Sequence, residues 1–70
     1  MQAFVERLIE ESRQLDERIE KLGLFINSNT KFQALDEKNK QLLREQYKAM
    51  TAYANILHER IKINGGYENG

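Results

Sequence analysis

Residues 42–61 have the sequence LLREQYKAMTAYANILHERI, in which apolar side chains recur at helical spacing. Steps of four and three residues define a first stripe, which consists of Leu43, Tyr47, Met50, Ala54, Leu57 and Ile61. The same steps define a neighbouring second stripe of Leu42, Gln46, Ala49, Tyr53, Ile56, Arg60 and Ile63. The pattern predicts a long helix over residues 36–63, with Asp36 as its N-cap and Glu37 in its first turn. A helical hairpin needs one stripe per helix, so the second stripe predicts contacts between copies of the chain.

The N-terminal part of the chain has a matching helical pattern. Its apolar positions form a heptad series of Val5, Leu8, Ser12, Leu15, Ile19, Leu22 and Ile26, with serine as the one polar member. The series predicts a helix over residues 2–27, and Gly23 within it is expected to let a neighbouring backbone approach closely. The helix should end at Asn27-Ser28-Asn29-Thr30, because these residue types favour caps and turns.

The segment between the two helices, residues 28–35, is predicted to be a short helical turn. We expect Thr30 to cap this turn, and Phe32 and Leu35 to fold over the open end of the hairpin. The sequence therefore predicts an all-α fold, namely an antiparallel two-helix hairpin with a short helical turn between the long helices, which oligomerises into a helical bundle.

The length of the chain limits what it can bury alone. Seventy residues allow one domain, assigned to residues 1–63, with residues 64–70 as a flexible tail because they lack periodicity. A domain of this size buries only about 60 % of its unfolded surface, so its core is marginal. Cysteine is absent and there is one histidine, which excludes disulfides and thiolate or imidazole-rich metal sites. Self-association, as a dimer or tetramer, is the support that remains.

The charge balance narrows the class of partner. Eleven Lys and Arg residues balance eleven Asp and Glu residues, unlike the basic composition of a DNA-binding domain. No stretch approaches the ~18 apolar residues of a membrane span, and acidic residues stand where a signal peptide would be basic and then apolar. We therefore expect a soluble intracellular protein that binds neither DNA nor membrane.

Motifs for catalysis or metal binding are missing from the sequence. It contains no nucleophile elbow, glycine-rich phosphate loop or HExxH motif. His58 and Glu59 are adjacent, so on a helix they point about 100° apart and form no dyad. Two acidic pairs share helix faces, Glu6 with Glu10 and Asp16 with Glu20, and they could hold a divalent metal or form a solvated face with nearby arginines and lysines. We favour the solvated face and predict a protein that is not an enzyme and has neither cofactor nor metal.

Three members of the second stripe combine suggestive chemistry. Gln46, Tyr53 and Arg60 recur every seven residues and present an amide, a phenol and a guanidinium along one line. Such a set can stack on a base, hydrogen-bond a sugar and hold a phosphate. Alternatively their stems cover the apolar stripe while their polar tips reach water, which the residue pattern alone favours.

Two cations near the end of the first helix, Arg18 and Lys21, also have two interpretations. An antiparallel hairpin could cluster them with Lys38 and Lys40, or they could simply complement the negative end of the helix dipole.

Much of the chain resembles a widespread family of short helical phage proteins, many of which are described only by their similarity to a protein of a crAss-like phage. The resemblance covers residues 5–63. It rests on Leu15-Asp16-Glu17-Arg18-Ile19-Glu20-Lys21-Leu22 followed by Phe25-Ile26, on Phe32-x-x-Leu35, and on the ordered run from Leu42-Leu43 through Gln46, Met50, Tyr53 and Ile56-Leu57 to Arg60-Ile61. The run from Gln46 to Ile61 is its most specific part.

The resemblance implies a function in immune evasion. Small phage proteins of this kind include anti-CBASS sponges, oligomers that sequester cyclic nucleotide signals such as 3′,3′-cyclic GMP-AMP (cGAMP) without cleaving them, and related sponges capture ADP-ribose-derived signals. A sponge in the cytoplasm of the infected bacterium needs aromatic faces and cations in a shielded pocket. By their chemistry, the candidate ligand-binding residues are Tyr53, Tyr47, Arg60, Gln46, Arg18 and Lys21. A dinucleotide carries about two phosphates, so a few local cations suffice.

Two other functions fit the same sequence. The second stripe could dock a host or phage protein, which would make the chain a protein–protein interaction module. It could also assemble the chain into a structural accessory of the virion.

Overall fold

The computed structural model describes residues 2–66, which form two long helices joined by a short one. Helix α1 spans Ala3–Ser28, α2 spans Thr30–Gln33 and α3 spans Glu37–Ile63. The long helices pack against each other, which confirms the predicted all-α class and the pairing of two long helices. No helix within residues 2–66 combines the length and the apolar character needed to cross a membrane.

The long helices run antiparallel, as two contacts show. Tyr47 of α3 lies beside Gly23 in the second half of α1, and Gly66, just after α3, lies beside Val5 near the start of α1.

Two hydrogen bonds also join α1 to α3. The Tyr53 hydroxyl in the second half of α3 donates to the Glu11 carboxylate in the first half of α1. His58 Nε2 lies 3.1 Å from Asp16 Oδ2. Both pairs are exposed, so they add little to the stability of the hairpin.

Side-chain caps define the turn between the long helices. Asn29 has an extended backbone that ends α1, and its Oδ1 accepts the Lys31 N–H at 2.8 Å, which makes it the N-cap of α2. The prediction that Thr30 caps this turn is wrong, because Thr30 is already the first residue of α2. Asp36 caps α3 as predicted, with its Oδ1 accepting the Asn39 N–H at 2.9 Å.

The end of α3 is closed by a backbone motif that needs glycine. Gly65 has a φ of 78°, in the left-handed region, and its N–H bonds to the carbonyl three residues back. The N–H of Gly66 donates to the Ile61 carbonyl at 2.8 Å, so the two bonds form a Schellman cap. Residues 64–66 therefore form a capping turn, and residues 67–70 of the predicted tail lie outside the described residues.

The core is complete at one end of the hairpin and open at the other. Its buried apolar residues are Val5, Leu8, Leu15, Phe32, Ala54, Leu57 and Ile61, and most of them lie where the start of α1 meets the end of α3. Towards α2 the facing residues are only half-buried, namely Ile19, Leu22, Ile26, Leu43, Tyr47 and Met50. The half of the hairpin near α2 thus leaves room between the helices.

The second stripe lies outside the buried contact between the long helices, although the hydroxyl of its Tyr53 reaches Glu11 of α1. Its large apolar members remain exposed, with Leu42 at 48 %, Tyr53 at 43 %, Ile56 at 57 % and Ile63 at 74 % exposure. The hairpin therefore uses the first stripe alone, and association through the second stripe stays a prediction.

Candidate functional site

A groove lies between the long helices in the open half of the hairpin, near α2. It has a volume of about 320 Å³. Its lining residues are Gly23, Ile26 and Asn27 from α1 and Arg44, Tyr47 and Lys48 from α3. The groove forms because the side chains that face each other near α2 do not fill the space between the long helices.

Gly23 and Tyr47 form the floor of this groove together. A Cβ atom built on Gly23 would lie only 3.1 Å from Tyr47 Cε2 and 3.5 Å from the Tyr47 hydroxyl oxygen. The ring can therefore pack against α1 because residue 23 has no side chain. The sequence predicted close approach of a neighbouring backbone at Gly23, but its close neighbour is the side chain of Tyr47.

The charge on the groove is positive. Arg44 and Lys48 lie one helical turn apart on α3, and neither forms an ion pair within residues 2–66. No carboxylate lines the groove. The Arg44 guanidinium carbon lies 5.3 Å from the centroid of the Phe32 ring, within the range of a cation–π contact.

This combination of groups is suited to binding an aromatic anion. The Tyr47 ring offers a stacking surface, the two cations attract phosphate, and the Asn27 amide can donate and accept hydrogen bonds. The lining contains no serine, cysteine, histidine or carboxylate. Within residues 2–66 no group of three potential metal-ligating side chains occurs either.

The predicted ligand-binding residues do not converge on one place in a single chain. Tyr47 lies in the groove, whereas Gln46, Tyr53 and Arg60 are exposed on the second stripe. The Gln46 amide lies 3.9 Å from the sulfur of Met50, while the hydroxyl of Tyr53 is engaged by a carboxylate of α1.

Arg18 and Lys21 are exposed on α1 and do not line the groove. Neither makes a side-chain hydrogen bond or an ion pair within the described part of the chain. Their proposed clustering with Lys38 and Lys40 finds no contact in the structure to support it.

Sequence reasoning missed Arg44 and Lys48 as site residues. Both belong to a row of cations, Lys40, Arg44 and Lys48, that recurs every four residues and so follows one face of α3. That row, next to Tyr47, was the available signal. The seven-residue spacing of the second stripe instead predicts Gln46, Tyr53 and Arg60.

Comparison with known proteins identifies a family for this chain. The family model Sequestin matches residues 2–63, which includes all three helices and every residue that lines the groove. No curated protein and no solved structure matches the chain. The family name indicates a sequestering function, in agreement with a groove whose groups are suited to binding. Since the match covers nearly the whole chain, the protein belongs to the Sequestin family.

Proposed function

We propose that this protein is a phage immune-evasion sponge, which sequesters a bacterial nucleotide immune signal such as 3′,3′-cGAMP without cleaving it. Membership of the Sequestin family supports a sequestering function. The resemblance to short helical phage proteins supports the anti-CBASS role and the cytoplasm of the infected bacterium as the place of action. The observation that carries the proposal is the groove that joins Tyr47 to Arg44 and Lys48.

A nucleotide has the two features that the groove can recognise. Its base can stack on the Tyr47 ring, an interaction worth about 1–3 kcal/mol per base in proteins that bind single strands. Its phosphate can accept paired N–H bonds from Arg44 and a further one from Lys48. A volume of about 320 Å³ lies at the small end of ligand pockets, which favours a small nucleotide over a long strand.

Binding without cleavage agrees with the groups that line the groove. Hydrolysis of a phosphodiester calls for an activated nucleophile, a positioned acid or base, or metal ions. The lining offers cations, a phenol and an amide, which can hold a ligand and exclude water from it. Such a protein acts by stoichiometric capture, so its effect depends on affinity and on the amount made.

The exposed second stripe supports assembly into a dimer or tetramer of identical chains. A neutral chain with a small core has apolar side chains on a face that its own α1 does not cover. A second copy would bury that face and place residues of one chain near the groove of another. In this arrangement Tyr53, Gln46 and Arg60, with Arg18 and Lys21 of α1, contribute to ligand binding at crevices between copies.

Calorimetry on the purified protein tests the proposal. Cyclic dinucleotides and ADP-ribose derivatives should include at least one ligand that binds at micromolar affinity or better. Mass spectrometry of the released ligand should find it intact. If no member of the panel produces heat or a thermal shift, or if the ligand returns cleaved, the proposed function is wrong.

Matched variants assign the binding to the groove. Replacing Arg44 and Lys48 together by glutamine should lower the affinity at least tenfold, because two charge-assisted bonds to phosphate are lost. Replacing Arg7 and Lys62 by glutamine changes the net charge equally at exposed positions outside the groove and should leave the affinity unchanged. Equal losses in both variants would show that the attraction comes from net charge alone.

The exposed second stripe also supports an alternative, in which the chain is a small interaction module or a structural accessory of the phage. A single stoichiometric protein recovered from infected cells, without bound nucleotide, would favour the interaction module. Presence of the chain in purified virions would favour the structural role.

A further inference from the structure

Phe32 of α2 provides a fixed aromatic surface beside the groove. Its side chain is only 1 % exposed. Its ring packs edge to face on Phe25, with centroids 5.9 Å apart and an angle of 83° between the planes. Because both neighbouring helices hold this ring, it can restrict any group that lies over it.

Two cations of α3 lie over this ring, and they differ in their other contacts. Lys40 Nζ is 6.0 Å from the centroid, and it also lies 3.6 Å from Glu37 Oε1. Arg44 is closer, at 5.3 Å, has no carboxylate partner within residues 2–66, and lines the groove. Arg44 is therefore the cation whose position connects Phe32 with the groove.

We propose that Phe32 is a positioning residue for the anionic part of the ligand, because it holds the Arg44 guanidinium at the edge of the groove before the ligand arrives. The inference rests on the proposed function and deepens it, since it makes α2 part of the site although α2 supplies none of the groove lining. It assigns the preference for phosphate to the pair formed by Phe32 and Arg44.

The physical basis is preorganisation. A free arginine loses freedom of rotation about several side-chain bonds when it binds phosphate, and this loss of conformational entropy weakens binding. A guanidinium that already stacks on an aromatic face has lost part of this freedom, while its N–H edges remain available for paired bonds to phosphate. The benefit appears only for ligands that carry a phosphate.

The variant Phe32→Leu tests this inference, because it keeps an apolar side chain and removes the ring. Its affinity for a nucleotide that the wild type binds should fall by about three- to tenfold. Its affinity for the corresponding uncharged nucleoside should not change. A purely structural role for Phe32 would instead weaken binding of both compounds to the same degree.

A double-mutant cycle and a matched control sharpen the result. In an Arg44→Gln background the Phe32→Leu change should have no further effect on nucleotide affinity, because its effect acts through Arg44. Phe25→Leu removes the other ring of the aromatic pair, which does not lie under Arg44, and keeps an apolar side chain against Phe32, so it should reduce the preference for nucleotide over nucleoside less than Phe32→Leu does. Additive losses in the cycle would overturn the inference.

Nuclear magnetic resonance gives a readout that needs neither a nucleotide nor a stable Phe32 variant. In the wild type, the Arg44 side-chain protons should show ring-current shifts, and titration with inorganic phosphate should move the Arg44 Nε resonance more than that of Arg7. Arg44 resonances at random-coil positions would overturn the inference even if nucleotides bind. Absence of nucleotide binding together with shifted Arg44 resonances would contradict the proposed function alone.

Discussion

At the scale of single residues, Tyr47 and Gly23 depend on each other across the two long helices. The tyrosine belongs to the first stripe, yet it is only half-buried and one side of its ring borders the groove. The glycine costs helix α1 about 1 kcal/mol relative to alanine. What it allows in return is the packing of an aromatic ring directly on the α1 backbone.

Gly23→Ala should therefore lower the affinity for nucleotide with little change in the free energy of unfolding. The alanine favours the helix by about 1 kcal/mol, but its Cβ would lie 3.1 Å from Tyr47 Cε2, so the ring must shift. We expect the free energy of unfolding to change by less than about 1 kcal/mol, since the two effects oppose each other. Nucleotide affinity should fall by about three- to tenfold, a part of the stacking energy, as measured by calorimetry.

The same glycine change in a Tyr47→Leu background is the control. Leucine does not reach as far as the tyrosine ring, so the alanine should now raise the free energy of unfolding by about 1 kcal/mol in urea titrations. An unchanged affinity in Gly23→Ala alone would show that the Tyr47 ring does not form the ligand surface.

At the scale of the helices, each long helix is stabilised by a carboxylate that accepts hydrogen bonds from its own residues, Glu10 in α1 and Asp36 at the start of α3. The backbone N–H of Asn39, and then its side-chain amide, lower the pKa of the Asp36 carboxyl below its ordinary value of 3.8. In α1 the hydrogen bond from Arg13, assisted by one from Gln14, lowers the pKa of Glu10 from 4.5 to about 2. Both carboxylates are thus more acidic in the folded chain.

These shifts predict that the protein loses stability in acid. Because each folded pKa lies below its unfolded value, the stabilisation is fully present above the unfolded values, 3.8 and 4.5, and is lost as the pH falls through the folded ones. For Glu10 the loss extends down to about pH 2. Urea titrations at a series of pH values should show a falling midpoint of unfolding between pH 5 and pH 2.

The variant with Asp36→Asn and Glu10→Gln isolates this effect. Asparagine is about as good an N-cap as aspartate, and glutamine keeps a hydrogen-bonding group towards Arg13. The variant therefore removes two titratable carboxyl groups but keeps most of their hydrogen bonds. Its midpoint should depend less on pH than that of the wild type. Glu59→Gln, an exposed change elsewhere on α3, should behave like the wild type, and a shared flattening in all variants would contradict the assignment.

At the scale of the whole molecule, the hairpin has one closed half and one open half. Leu57 and Ile61, with 0 % and 1 % exposure, anchor the closed half against the start of α1. The groove in the open half and the exposed second stripe, which runs along both halves of α3, leave apolar surface uncovered. A small single domain with this much uncovered apolar surface is expected to associate.

Ile56→Lys should weaken that association. Ile56 is 57 % exposed near the middle of the second stripe, and a lysine there would place a charge in the contact between copies. The wild type should sediment as a dimer or tetramer, with a melting temperature that rises with protein concentration. The variant should sediment at lower mass and melt at lower temperature.

Asn55→Lys is the control for this change, because Asn55 is exposed on a different face of α3. It should keep both the mass and the melting temperature of the wild type. A wild-type chain that sediments as a stable, well-folded single copy would refute the proposal that ligands are held between copies.

Local patterns in the sequence were enough to predict the helices and their pairing. Period-3.6 spacing places apolar residues such as Leu15 and Leu57 on one face of each helix, and burying those faces against each other leaves few alternatives to a hairpin. The Asp36 cap could also be predicted, because capping depends on residues within one turn. These features arise from neighbours along the chain.

The groove could not be predicted in this way, because it depends on how the helices face each other and where α2 lies. Tyr47 reaches the α1 backbone only at the register that sets it opposite Gly23. Arg44 meets Phe32 only because α2 packs against both long helices. Helix periodicity does not distinguish these contacts from the equally regular row of Gln46, Tyr53 and Arg60. Helix geometry alone brings Arg44, Tyr47 and Lys48 together on α3, but only the packing of the two long helices sets Gly23, Ile26 and Asn27 of α1 opposite them and so forms a groove.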